Sequence, residues 1–349
     1  MRAIVKSKSG PGIEILDVED PKRSSTEALV RVEAVGICGS DIHIFEWSPG
    51  YEHMTKYLPL IMGHEFSGEI VELRGGAEKR FKPGDKVTSE TGKTCGQCFF
   101  CKQGKSIMCP LRLSYGRIGL ERPGAMTGYV TVPMECLHRI PPGVSMEEAA
   151  MTEPAAVALG AAERACFFPG DTIVILGPGP IGLLILQMCR ALGAGRIIVI
   201  GLEANAKRLD VASSLGADEI LVGADEKTIQ QVMSFTDGLG AGVVFESSGT
   251  AAAAVSGLHM LRKTGELILV GIYAEDIPLD ATHQLVRPMR TIKGAYGAAS
   301  LDWDRVLNLA ATKRIKLAPL ISEVMPLEKA QDAFEIACRR EGLKVILKP

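Results

Sequence analysis

Through about residue 155, apolar and polar positions alternate in short runs. Ala28 to Val35, Glu69 to Leu73, Lys86 to Ser89 and Gly128 to Val132 read as short strands. Lys82-Pro83-Gly84-Asp85 and Ile140-Pro141-Pro142-Gly143 punctuate them as turns. The pattern predicts an all-β domain with loops. From Asp171 it changes to short apolar strands alternating with helical stretches. Thr172 to Leu176 leads to a helix over Ile181 to Leu192, and Arg196 to Ile200 to a helix over Ala206 to Leu215. Glu219 to Val222, Gly242 to Glu246 and Glu266 to Val270 continue the series. Alternating β and α segments predict a doubly wound parallel sheet, so the fold class is α/β. Beyond residue 295 the regularity lapses, with strands near Leu320 to Val324 and Lys344 to Leu347 flanking a helix over Leu327 to Arg339.

A chain of 349 residues exceeds the size at which one core stops growing, so two domains are expected. The 39 basic and 41 acidic side chains leave a formal charge of -2, with no basic stripe for a nucleic acid. The N-terminus Met1-Arg2-Ala3-Ile4-Val5-Lys6 reads as a strand, not a secretory segment. The longest uncharged stretch, Thr172 to Cys189, is broken by glycines and prolines and is too short for a membrane span. A cytoplasmic protein without a membrane partner is expected. Of nine cysteines, Cys95, Cys98, Cys101 and Cys109 cluster, which favours metal over disulfides in that setting.

Gly177-Pro178-Gly179-Pro180-Ile181-Gly182 fits G-x-G-x-x-G between a strand and a helix, the context that makes this motif informative. Gly177 suits a tight turn, Gly179 lets backbone approach a pyrophosphate, and Gly182 permits close helix packing. The anion would sit at the helix N-terminus. Glu203, at the end of the next strand, is placed to hold a ribose 2′-hydroxyl, which favours NAD over NADP. Lys207 and Arg208 nearby pull the other way.

The four clustered thiols match the closed thiolate tetrahedron of a structural zinc site, with Gly96 and Gly104 permitting the loop. A second set is dispersed. Gly36-Ile37-Cys38-Gly39-Ser40-Asp41-Ile42-His43 offers a thiol, a hydroxyl and an imidazole, Gly63-His64-Glu65 an imidazole and a carboxylate, and Glu153-Pro154 another carboxylate. Spacing alone does not join these segments into one site.

Taken in order, these five motifs resemble the zinc-dependent medium-chain dehydrogenase family, and the resemblance spans nearly the whole chain. Within it the chain is most similar to the sorbitol (L-iditol) dehydrogenase group and also resembles threonine 3-dehydrogenase. The resemblance implies a GroES-like catalytic domain over residues 1–155 and 295–349, split around a Rossmann domain over 156–294. It implies two zinc ions per subunit, one structural and one catalytic. Cys38 and His64 would hold the catalytic ion, with Glu65 as third ligand or close partner and Glu153 bound directly or through water. Ser40 would begin a proton relay ending at His43, with Glu153 as an alternative route. Gly177, Gly179, Pro180, Ile181, Gly182, Glu203 and Arg208 would contact the dinucleotide.

The expected reaction is oxidation of a small secondary alcohol to a ketone with NAD(P). For the substrate, two segments disagree. Ile42-His43-Ile44-Phe45-Glu46-Trp47 looks like the threonine enzyme, and Pro154-Ala155-Ala156-Val157-Ala158-Leu159 like the polyol group. The polyol or diol reading leads, and L-threonine 3-dehydrogenase is the alternative. A cofactor-binding protein without activity is a third reading; it predicts damage to Cys38, His64 or Glu65, and all three are intact. The resemblance further implies a homodimer or homotetramer.

Overall fold

Strand Glu27–Gly36 carries ten residues whose inward side chains are apolar and buried, and three strands pair along it. It belongs to a seven-stranded sheet in the order Ile321–Pro326, Lys344–Lys348, Glu27–Gly36, Glu65–Glu72, Lys86–Ser89, Leu137–Arg139, with Tyr129–Pro133 also pairing to Glu27–Gly36. A three-stranded antiparallel sheet, ordered Glu14–Asp17, Arg2–Lys6, Leu60–Ile61, adjoins the same core. Val30, Val35, Phe66, Ile70, Met126 and Phe334 are among its buried residues. Removing that apolar surface from water is the main stabilising term. This computed structural model describes residues 1–73 and 80–349.

The β-rich unit comprises Met1–Ala156, Ala299–Lys313 and Leu317–Pro349. Its sequence pattern hides one element that matters for function, the α-helix Gly39–Glu46. Only Asp41 and Ile44 are buried in it, so no apolar stripe announces it. Its start is fixed by a cap instead: the Cys38 amide donates to Asp41 Oδ2 at 2.9 Å, which satisfies a donor at the helix entrance. The expected helix from Leu327 is shorter as well. Leu327–Lys329 is a 3₁₀ turn, and the α-helix runs Ala330–Arg339.

The other unit, Val157–Ala298 with Arg314–Lys316, is built on a six-stranded, all-parallel sheet. Its order is Glu219–Val222, Ile197–Gly201, Ile173–Leu176, Ala241–Glu246, Leu261–Leu269, Thr291–Gly294. In sequence rank this is 3-2-1-4-5-6, the order of the doubly wound dinucleotide-binding sheet. Ile173–Leu176, Ile197–Gly201 and Ala241–Glu246 are buried throughout, as parallel strands covered on both faces must be. The sixth strand lacks an apolar run because it lies at the edge. Among the described residues no helix is long and apolar enough to cross a membrane.

Candidate active site and metal centres

Antiparallel pairing brings the dispersed ligand candidates together. Gly36 faces Glu65 across the sheet, so Cys38, two residues beyond one strand end, meets His64 and Glu65 at the start of the other. One ligand atom from each of Cys38, His64 and Glu65 lies within 4.8 Å of the others. His64 and Glu65 are buried and Cys38 is half-buried. A Cβ at Gly36 would stand 2.5 Å from Glu65 Oε2, so a side chain there would displace that carboxylate. Glu153, in the first turn of helix Thr152–Arg164, lies outside that tight set, yet its charge acts on His64.

Two further residues complete the site. Asp41 is fully buried, with Oδ1 3.7 Å from His64 Nδ1. Neither of these two atoms has a hydrogen-bond partner. Lys344 opens strand Lys344–Lys348, and its buried ammonium donates to Glu65 at 2.9 and 2.7 Å and to the Ile37 carbonyl at 3.1 Å. Asp41 stands at the third helical position after Cys38, but a cysteine at the cap is not the Ser or Thr that marks a helix start in a sequence. Nothing in the sequence distinguishes Lys344 from any lysine at a strand end.

The ionisation pattern of this cluster is that of a cation site. Burial works against a charged His64, but Asp41 and Cys38 outweigh it and raise its proton affinity well above the usual imidazole value. Burial raises Asp41 and Glu153. Lys344 is held charged against its own burial by Glu65 and Cys38. An excess of anionic donors around one imidazole, with a thiol among them, suits a borderline-soft ion such as zinc.

Ser40 and His43 lie on helix Gly39–Glu46, in its first and last turns. The His43 ring stacks on Tyr51 with centroids 5.2 Å apart, and Nδ1 is 3.1 Å from Ser48 Oγ. Burial and the Arg340 charge push its pKa below the ordinary value, against Glu46.

Cys95, Cys98, Cys101 and Cys109 also converge, with one sulfur from each within 4.8 Å of the rest. Gly96 and Gly104 take positive φ, 67° and 73°, to close the loop. Amides point at the sulfurs: Cys95 N–H reaches Cys109 Sγ and Cys98 N–H reaches Cys95 Sγ, both at 3.3 Å. Such donors stabilise thiolate, and Cys95 is drawn down to about 6 by the amides of Gln97 and Cys98. Burial and the neighbouring sulfurs push Cys101 up to about 12. All nine cysteines are free thiols.

In the other unit, Gly177 adopts φ 99° at the end of strand Ile173–Leu176. Gly179 caps helix Pro180–Ala191, with Pro180 in its first turn, and space is open where a Gly179 Cβ would point. Gly182 packs so closely that a Cβ would lie 2.1 Å from the Gly177 carbonyl oxygen. Glu203 begins a short 3₁₀ turn just past strand Ile197–Gly201 and is exposed, while Arg208 is half-buried on the next helix, Ala206–Ser214.

Comparison with known proteins agrees with this geometry. Residues 24–142 match the alcohol dehydrogenase GroES-like domain family, and residues 180–312 the zinc-binding dehydrogenase family. A D-arabitol-phosphate dehydrogenase of Enterococcus avium is 35% identical, over 98% of this chain and 96% of the relative. A sorbitol dehydrogenase of Halalkalibacterium halodurans is 34% identical, over 100% and 99%. An L-threonine 3-dehydrogenase of Pyrococcus horikoshii is 33% identical, over 99% and 98%.

Proposed function

The chain belongs to the zinc-dependent medium-chain dehydrogenase family, as an NAD(P)-dependent oxidoreductase of small alcohols or polyols, and we propose that it oxidises a polyol or related diol at a secondary hydroxyl, giving the ketone. One observation carries this reading: Cys38, His64 and Glu65, the last two buried and the first half-buried, form a tight cluster that supplies one ligand fewer than a closed tetrahedron. The polyol class is supported by whole-length similarity to the arabitol-phosphate and sorbitol enzymes. The threonine reading keeps support from the Pyrococcus relative and the segment Ile42 to Trp47.

The two ligand sets divide the labour. Four thiols leave no open position, so the set at Cys95, Cys98, Cys101 and Cys109 is the structural one. Cys38 and His64 would hold the catalytic ion, with Glu65, which also accepts from Lys344, as third ligand or close partner, and Glu153 bound directly or through water. When bound, zinc supplies Lewis acidity toward the alcohol oxygen and the nicotinamide accepts the hydride. Asp41, whose Oδ1 lies 3.7 Å from His64 Nδ1, acts on His64 through its charge. Ser40 Oγ would accept the proton of the substrate hydroxyl while passing its own onward, by way of the nicotinamide ribose, to His43 Nε2. His43, whose neutral form is favoured by burial, would then release a proton to water from Nε2 while Ser48 stays on Nδ1.

In the dinucleotide-binding unit, residues Gly177, Gly179, Pro180, Ile181 and Gly182 cradle the pyrophosphate at the N-terminus of helix Pro180–Ala191. Glu203 favours NAD, with Arg208 beside the adenosine end. The enzyme assembles as a homodimer or homotetramer.

Cys38→Ser is the test of the metal assignment. It should cut alcohol-dependent NADH formation at least about 100-fold while the thermal unfolding midpoint and NAD affinity stay near wild type. Metal analysis should show one zinc lost per subunit and one retained. Full activity with both zincs retained would contradict the assignment.

A further inference from the structure

Lys6 ends strand Arg2–Lys6 and is only 1% exposed. A buried ammonium is costly unless its donors are met. Here they are met without a carboxylate. Its hydrogen-bond partners are the carbonyl oxygens of Gly10, of Gly12 at 2.8 Å and of Phe45 at 3.5 Å, and Nζ lies 5.1 Å from the centre of the Trp47 ring. Phe45 is in the last turn of helix Gly39–Glu46, where unpaired carbonyls carry partial negative charge. The indole face adds a cation–π contact. The same Phe45 carbonyl also accepts the Gly12 amide at 2.7 Å.

What this cage holds is an unusual turn. Trp47 sits in the left-handed region, φ 57° and ψ 49°, a conformation that costs a bulky residue energy. Its amide donates to the His43 carbonyl, and so does the amide of Ser48, at 2.9 Å. Ser48 Oγ in turn contacts His43 Nδ1 at 3.1 Å. The contacts run without a break from Lys6 through Phe45 and Trp47 to Ser48 and His43.

We infer that Lys6 is a positioning residue: by clamping the Phe45–Trp47 turn it keeps Ser48 on His43 Nδ1, which leaves Nε2 as the nitrogen that exchanges the proton. The functional weight of this inference rests on the relay reading of His43. The charged and titratable groups around His43 are Glu46 and Arg340, which act on its charge, Tyr51, which stacks on it, and His53, whose ring is 6.0 Å from that of Tyr51.

The test uses the full-length protein labelled with 15N-histidine, so it needs no substrate. Imidazole 15N shifts of His43, assigned with His43→Gln, are followed from about pH 5 to 9. Wild type should show one dominant neutral tautomer and a midpoint below that of an exposed histidine. Lys6→Met should mix the tautomers and raise the midpoint. Lys6→Arg, which keeps the charge but overfills the cage, should do the same. Ser48→Ala should reproduce both changes. In a Trp303→Phe background Trp47 is the sole tryptophan. Its emission should move in Lys6→Met and Lys6→Arg and stay fixed in Ser48→Ala. Unchanged His43 shifts in both Lys6 variants, with Trp47 emission moved, would overturn the inference. A midpoint that rises in Lys6→Met but not in Lys6→Arg would also overturn it, as a charge effect. If Lys6→Met does not fold, Lys6→Arg and Ser48→Ala decide the question. Failure of the relay reading shows separately, as a His43→Ala enzyme with the wild-type pH profile for alcohol oxidation.

Discussion

At the scale of single residues, the site is governed by what surrounds the ligands. Glu65 and Lys344 form a buried ion pair at 2.7 Å within the candidate ligand cluster. Breaking such a pair by removing one member leaves an uncompensated buried charge. Lys344→Met should therefore destabilise the metal-free protein by about 3 kcal/mol or more, measured by denaturant unfolding. Zinc should recover part of that loss by drawing Glu65 into coordination. Equal destabilisation with and without zinc would mean that Glu65 never reaches the ion. Cys38, His64 and Glu65 came forward as candidates only through the family resemblance, because their spacing in the chain does not join them; the strand pairing does. Lys344 did not come forward, since its role depends on a strand pairing between residues far apart in the chain.

At the scale of elements, the two thiol-bearing segments answer to different rules. The loop holding Cys95, Cys98, Cys101 and Cys109 has little core of its own: Phe99, Phe100 and Met108 remain exposed. A metal bound by the four thiols would supply folding free energy there. Cys98→Ser should lower the thermal midpoint by several degrees and remove one zinc per subunit, by calorimetry and metal analysis. An unchanged midpoint would contradict a structural role. Helix Ser300–Ala311 is tied down differently. His138 is buried between Asp304 Oδ1 at 2.7 Å and Glu90 Oε1 at 3.3 Å, and Ser300 Oγ donates to that same Glu90 oxygen at 2.6 Å. Burial opposes charge on His138, but the two carboxylates win and raise its pKa. A raised folded-state pKa stabilises fully below the unfolded value of about 6.5 and loses that contribution as pH rises through the folded value. Denaturant unfolding should show wild type losing stability across that window and His138→Gln losing less there. Parallel curves for the two proteins would refute the bridge. Helices Pro180–Ala191 and Ala206–Ser214 could be read from the pattern, as could five of the six parallel strands, whereas the amphipathic helices Glu226–Ser234 and Ser300–Ala311 were not. Helix Gly39–Glu46 could not, because a cap rather than an apolar face creates it.

At the scale of the whole molecule, one sheet order and one strand pairing account for the chemistry. The 3-2-1-4-5-6 parallel sheet sets Gly177 and helix Pro180–Ala191 at its carboxyl edge, where such sheets bind dinucleotides. The pairing of Gly36 with Glu65 converts two distant motifs into one candidate metal-binding cluster. The doubly wound class was evident from alternating strands and helices, while the edge strand Thr291–Gly294 escaped notice for want of an apolar run. Substrate choice is the property that motifs do not encode, because it depends on the number and placement of hydroxyl partners in a pocket. The most direct test is NADH or NADPH formation by the zinc-loaded enzyme with sorbitol, iditol, arabitol, 2,3-butanediol and L-threonine. Turnover of a polyol or diol with NAD in preference to NADP, and none of threonine, is the predicted result. Turnover confined to threonine would contradict the polyol assignment, and no turnover of any secondary alcohol by fully zinc-loaded protein would contradict the catalytic account itself.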